Sequence, residues 1–361
     1  HCGHPSASLQ PSEEHPQEPE IPMFAAQNSH PRSPTRFFKL GIYFLAAYAL
    51  LVGALGWWWD KEPERFDVLE RASSNAASAS RQMTTGYISA STFITIAETL
   101  IDKRGGYLSN DIFPPGVLMD NIPEWEFGSL TLLRDTARVF RNDFSRSQSQ
   151  SAENPTLAEA EGRFFFDNNS WLFPQTESEY QEGIDLFRNY LSMLGDENET
   201  DAQFYSRADN LEKWLATLET RLGSLSLRLS ASVGKRQLDT SLSGDSASSQ
   251  STRTPADSFV KTPWMELDNI FYETRGYCWA SMHMLKAMEI DFADVLDKKA
   301  ARVSLQQIIR ELEGTQATLW SPIVLNGEGL GLLANHSLVM ASYVSRANAA
   351  IIDLRNLLVK G

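Results

Sequence analysis

The feature that most constrains this chain is an uninterrupted apolar run from Leu40 to Trp59, LGIYFLAAYALLVGALGWWW, which contains no charged residue. As a helix, these 20 residues would be about 30 Å long, which matches the hydrocarbon core of a bilayer. The run is longer than the apolar part of a signal peptide, and it ends in three tryptophans, which are typical of the membrane interface. We therefore predict one uncleaved transmembrane helix over residues 37–59.

The residues that flank this run differ in charge. Arg32, Arg36 and Lys39 precede it, whereas acidic and basic residues are mixed in the segment that follows, 60–65. Because basic residues favour the cytoplasmic side, the asymmetry predicts a cytoplasmic N-terminus and an extracytoplasmic remainder.

The N-terminal segment 1–36 is rich in Pro, Ser, Glu and His and has no apolar periodicity, so we expect a disordered cytoplasmic tail. Met23 precedes the basic flank of the membrane run, and we interpret it as the natural start, with 1–22 as an extension that is not native. Residues 60–84 are expected to form a juxtamembrane stalk.

Helical periodicity dominates the rest of the chain, 85–361, and no long stretch alternates with a period of two. Apolar residues recur at spacings of three and four in four long segments, 204–229, 267–292, 305–319 and 340–358, and Gly361 is expected to cap the last of them. Shorter helices are predicted at Ile88–Lys103, Phe127–Ser147 and Glu177–Leu194. We predict an all-α fold, a multi-helix bundle with long amphipathic helices. The seams fit an intramolecular core better than a coiled-coil dimer, but both interpretations stay open.

Three segments between these helices have a distinct composition. Residues 239–257 are rich in Ser and Thr and predict a flexible loop. Residues 105–126 contain Pro114, Pro115 and Pro123, which exclude helix, yet their aromatic residues indicate a packed loop. Five aromatic residues within 164–173 are expected to close the end of the bundle rather than to contact a ligand.

Charge and composition exclude several classes of protein. The net charge of −14 repels phosphate backbones, so nucleic acid is not an expected partner. Cys278 occupies an apolar helical position typical of a buried structural cysteine, and it does not face His283 on the same helix. The glycines after Asn326 lack the strand and lysine of a phosphate loop, and Asn335 or Ser337 is expected to cap the helix that follows them. We predict no cofactor, no metal site and no catalytic residue.

Seven residues remain as candidates for a binding surface. Four belong to the 105–126 segment and three to a polar stretch near the end of a predicted helix, where a buried polar network, a partner-binding face and a solvated helix end are all compatible with the pattern. The candidates are Asp111, Asp120, Glu124, Trp125, Arg141, Asp143 and Arg146.

Several long strings identify a resemblance that spans about Phe37 to Gly361. They are ETLIDKRGGYLSNDIFPPG (98–116), RNDFSRSQSQS (141–151), RLSASVG (228–234), VKTPW (260–264), IIRELEGTQAT (308–318) and SPIVLNGEGLGLLANHSLVMASYVSRANAAIIDLRNLL (321–358). The chain resembles the bacterial inner-membrane family catalogued as domain of unknown function 2333. The resemblance implies a membrane-anchored envelope protein with a periplasmic domain, and it supplies no activity or catalytic residue.

Two functional hypotheses follow from these observations. The first is a non-enzymatic envelope scaffold that binds a protein partner, or a second copy of itself, through its helical domain. The second is a periplasmic enzyme or ligand sensor that acts on cell-wall or lipid material near residues 105–126. An exposed apolar patch would favour the first hypothesis, and a pocket lined by this loop would favour the second.

Overall fold

The structure is a computed structural model that describes residues 34–147, 152–196, 202–238, 257–321, 323–327 and 332–360. Its contacts divide the chain into two units, His1–Leu50 and Leu51–Gly361. The described residues form eleven α-helices: α1 Pro34–Trp59, α2 Val68–Ala79, α3 Tyr87–Asp102, α4 Asn121–Val139, α5 Pro155–Phe164, α6 Thr176–Leu194, α7 Ala208–Ser230, α8 Leu267–Asp291, α9 Ala293–Lys298, α10 Arg302–Thr315 and α11 His336–Lys360. The predicted all-α class is confirmed.

Helix α1 contains one stretch, Phe37–Trp59, that is long and apolar enough to cross a membrane, and most of its apolar side chains are exposed. The predicted span of 37–59 is therefore helical throughout. Of the tail expected to be disordered, residues 34–36 form the first residues of α1, and residues 1–33 lie outside the described residues.

Helix α8 is the centre of the larger unit and packs against α3, α4, α7 and α10. The α4–α8 crossing is so close that side chains are excluded from it. A Cβ atom on Gly128 would lie 1.9 Å from the Glu273 carbonyl oxygen, and one on Gly276 would lie 1.9 Å from the Trp125 carbonyl oxygen. Glycine at both positions lets the two backbones touch, and Ser129 Oγ donates to the Gly276 carbonyl oxygen across the crossing (3.0 Å).

The predicted helical seams are buried, and two of them pack against each other within the chain. Helix α7 buries its leucine stripe and packs along α11, whose own stripe is also buried. These stripes therefore belong to the intramolecular core. The α8 seam, which contains Cys278, is buried as predicted. Gly361, expected as a cap, lies outside the described residues.

Two of the differences between predicted and observed helix boundaries have a clear cause. The prediction that Pro123 excludes helix is wrong: α4 begins at Asn121, so Pro123 lies in the first turn, where no backbone N–H is needed for the helical ladder. Helix α10 ends at Thr315 rather than near Leu319, because the carbonyl oxygens of Thr315 and Ala317 accept hydrogen bonds from Arg275 instead of continuing the helix.

Segment 60–84, predicted as a juxtamembrane stalk, is partly helical. It contains α2, which buries Val68, Ala72 and Ala76 and packs against α3 and α8. Sheet structure in the described residues consists of one antiparallel strand pair, β1 Lys235–Leu238 with β2 Asp257–Val260, and an isolated bridge between Asn326 and Asn335. Of the predicted flexible loop, residues 239–256 lie outside the described residues.

Candidate functional site

An open apolar groove lies where α8, α10 and α11 meet the segment that follows α10. Its volume is about 550 Å³. We call it the apolar groove, and its lining residues are Phe271, Arg275, Gly314, Thr315, Ala317, Thr318, Leu319, Trp320, Ser321, His336, Val339, Met340 and Tyr343.

One wall of the groove is fixed by Arg275, which is only 7% exposed. Its guanidinium donates to the two carboxylate oxygens of Glu62 at 2.7 and 2.6 Å. It also donates to the carbonyl oxygens of Thr315 (3.1 Å) and Ala317 (2.9 Å). The bidentate pair with Glu62 orients the guanidinium, and its bonds to the two carbonyl oxygens hold the chain after α10 against α8, where it forms one wall of the groove.

The opposite wall begins at the N-terminus of α11. Asn335 Oδ1 accepts from the backbone N–H of Leu338 (2.8 Å), which confirms the predicted asparagine cap. His336 Nδ1 accepts from the backbone N–H of Leu325 (2.9 Å), so the neutral ring carries its proton on Nε2. Burial lowers the pKa of His336, which favours this neutral form.

The rim of the groove carries large exposed apolar side chains. Trp320 lines the groove at its rim and is 93% exposed. Val339 in the lining is also exposed, and so are Ile323, Leu332 and Leu333 in the segment between Trp320 and α11. An apolar depression beside an exposed tryptophan is typical of a binding surface rather than of a catalytic centre.

The structure separates the seven predicted surface residues into two groups. Trp125 and Arg141 are sixteen positions apart along α4 and its continuation, which is about 24 Å. The candidates therefore do not form one surface. Trp125 is fully buried and packs against Trp279, with ring centroids 5.1 Å apart.

The carboxylates of segment 105–126 have separate roles. Asp120 caps α4 by accepting from the backbone N–H of Asn121 (3.0 Å). The Asp111 carboxylate lies against the backbone at Gly116. Burial, and then repulsion from Glu273, raises the pKa of Glu124 to about 6. The structure does not bring these groups together around a common point.

The polar stretch after α4 is a network of internal ion pairs. Residues Phe140–Phe144 form a π-helical turn. Arg141 pairs with Glu153 (2.7 Å) and Glu161 (2.9 Å), and Asp143 pairs with Lys213 (2.6 Å). Arg146 lies 3.6 Å from Glu153. These ion pairs are partly exposed rather than buried, and the partner-binding face at this stretch stays a prediction.

Sequence reasoning missed the most buried ion pair, Lys103–Glu126. The side chains are 3% and 0% exposed. The Glu126 carboxylate also accepts from the backbone N–H groups of Leu108 and Ser109, both at 2.8 Å. This pair holds the start of the loop between α3 and α4. The presence of several acidic residues in segment 105–126 was visible in the sequence, but the identity of the buried one was not.

The family of the chain follows from comparison with known proteins. No curated protein and no solved structure matches the chain. The model of family DUF2333, described as an uncharacterised protein conserved in bacteria, matches residues 34–361. This range covers the whole of the helical unit and α1. The chain therefore belongs to the bacterial family DUF2333.

Proposed function

We propose that this chain is a single-pass protein of the bacterial inner membrane, anchored by α1, whose periplasmic helical domain binds a partner protein through the apolar groove. It acts as a non-enzymatic envelope scaffold. The observation that carries the proposal is the apolar groove with the exposed Trp320 at its rim.

Charge and length support the anchored topology. The Phe37–Trp59 stretch has the length and composition of a membrane span. Arg32 and Arg36 precede this span and Lys39 lies at its start, and these basic residues favour a cytoplasmic N-terminus.

The chemistry of the groove favours a protein partner. Tryptophan is enriched among residues that dominate binding energy, especially beside pockets that exclude water. Arg275 is already paired with Glu62, so the groove offers shape and apolar area rather than an unpaired charge. An apolar side chain or helix face of a partner would satisfy these features.

The proposal is tested by placing a photo-crosslinking amino acid at position 320 of the full-length protein in cells. Position 303, on α10, is the matched control because Val303 is 76% exposed and does not line the groove. We expect one defined crosslinked partner from position 320 and none from position 303. Identical products from both positions would contradict the proposal. A crosslink only to a second copy of this chain would overturn the proposed partner and show self-association instead.

A matched pair of substitutions tests the groove itself. Val339→Glu places a charge in the groove at a side chain that is 56% exposed, and Val303→Glu places the same charge on a different surface. We expect only Val339→Glu to remove the crosslink at position 320. Equal crosslinking in both variants would argue against the groove as the binding site.

A further inference from the structure

A second exposed apolar surface lies far from the groove-lining residues in sequence, on the two loops that precede α4 and α6. It consists of Phe113, Val117, Leu118, Trp171, Leu172 and Phe173, which we call the loop patch. Each of these side chains is roughly half exposed or more, and Phe173 reaches 94%. The prediction that the aromatic residues of 164–173 all close the bundle is therefore wrong for this part. Phe164 is buried, whereas Trp171 and Phe173 point outward.

The two loops are held side by side by hydrogen bonds. The side-chain amide of Asn110 donates to the carbonyl oxygen of Ser170 (2.9 Å). The hydroxyl of Tyr107 donates to the carbonyl oxygen of Asn168 (3.1 Å). These bonds place the apolar tips of both loops on one end of the domain.

The same end contacts the last turn of α1. A Cβ atom on Gly105 would lie 2.8 Å from the ring of Trp59, so the ring packs directly over this glycine, whose φ of +86° is in the left-handed region. A Cβ atom on Gly56 would lie 3.5 Å from Pro115. The guanidinium of Arg104 lies over the ring of Trp58 at 4.8 Å. The loop that carries half of the loop patch therefore packs against the tryptophans that end the apolar helix.

The polar groups of the first loop do not interrupt its apolar tip. The Asp111 carboxylate is folded back against Gly116, and Asp120 is occupied as the cap of α4. The Lys61 ammonium lies over the ring of Trp57, and the Arg104 guanidinium lies over the ring of Trp58. In membrane proteins, basic groups beside such a belt of tryptophans are placed to contact lipid phosphates.

We infer that the loop patch inserts into the lipid–water interface of the membrane that α1 spans, so that the domain sits on the bilayer at this end. The inference rests on the membrane anchoring in the proposed function, but not on the groove or its partner. The free energy of transfer from water to this interface is favourable for aromatic and leucine side chains. A patch fixed beside the end of the span reaches the interface without any rearrangement.

The test measures the environment of nitroxide labels on the full-length chain in nanodiscs of phosphatidylethanolamine and phosphatidylglycerol. Labels are placed at Leu118→Cys and Phe173→Cys in a Cys2→Ser background, since Cys278 is fully buried. Val303→Cys is the control. Val303 is exposed on α10, near the C-terminal end of α8. At that end Asp291 binds the start of α3, whereas Trp58 lies at the other end of α3. The length of α3, about 24 Å, therefore separates the control position from the end of α1.

We expect the ratio of collisions with oxygen to collisions with a water-soluble nickel chelate to be several-fold higher at positions 118 and 173 than at position 303. Equal ratios in incorporated protein would overturn the inference while leaving the anchor intact. Exclusion of both reagents from positions 118 and 173 would also overturn it, because protein would then cover the patch. Failure of the chain to enter nanodiscs would refute the anchor and the inference together.

Discussion

Replacing Glu126 by alanine should be one of the most destabilising single changes in the helical domain. The substitution leaves the Lys103 ammonium buried without its carboxylate, and it leaves two backbone N–H groups without an acceptor. Removing one partner of a buried ion pair costs about 3–5 kcal/mol. Lys103 keeps its hydrogen bonds to the carbonyl oxygens of Gly106 and Leu100, so we expect the lower half of that range.

The assay is equilibrium urea unfolding of the full-length chain in a mild detergent, followed by tryptophan fluorescence. A loss of this size lowers the midpoint by about 1–2 M urea. The matched control is Glu98→Ala. Glu98 is 34% exposed and pairs with Arg188 on the surface, so its loss should cost only about 0.2–1 kcal/mol.

A double variant separates the buried charge from the lost hydrogen bonds. Lys103→Met combined with Glu126→Ala removes the unpaired ammonium, so it should recover part of the stability lost in Glu126→Ala alone. Recovery is incomplete because the N–H groups of Leu108 and Ser109 stay without an acceptor. If Glu126→Ala cost no more than Glu98→Ala, the reasoning about the buried pair would be refuted.

Three further predictions concern the same domain. Gly128→Ala should destabilise the domain by at least about 1–3 kcal/mol, because its Cβ meets backbone at the α4–α8 crossing. The control Gly162→Ala has open space around it and should stabilise α5 by up to about 1 kcal/mol. Equal effects of the two substitutions in urea unfolding would contradict the close crossing. Burial lowers the pKa of His283 to about 4, so the unfolded chain takes up the proton first and stability falls as the pH drops from about 6.5 toward 4. Between pH 7 and pH 5 the parent should lose about 2 kcal/mol more than His283→Met, and parallel unfolding curves of the two proteins would exclude this role. Burial raises the pKa of Cys278 to about 12, so in a Cys2→Ser background a maleimide should label it only after unfolding, as mass spectrometry would show; rapid labelling of the native protein would be inconsistent with its burial.

The sequence predicted the helices well where apolar spacing alone decides the structure. The stripes of α7, α8 and α11 are long and regular, so their burial followed from periodicity without knowledge of the partner helix. The predicted ends of helices failed where a distant residue decides them. Helix α10 ends where Arg275, forty positions away, binds the Thr315 carbonyl oxygen, and no local pattern contains that information.

The candidate site was less predictable for the same reason. Half of the acidic and basic residues that were singled out form ion pairs within the chain, such as Asp143 with Lys213. Conversely, Trp320 was not singled out, because exposure of a tryptophan depends on the packing around it rather than on its neighbours in sequence. An apolar residue indicates a binding surface only when the fold leaves it exposed to solvent.

The segment that joins α1 to α2 has a consequence for how far the domain can travel from the end of α1. If residues 60–66 were free, they would extend over about 23 Å. Glu62 is instead held by Arg275, and the backbone N–H of Phe66 donates to His283 Nε2 while its ring stacks on the imidazole at 4.0 Å. Segment 60–66 is thus bound within the fold and cannot extend. If α1 spans the membrane as proposed, a protein that binds this domain has to reach it close to the bilayer, because segment 60–66 cannot extend.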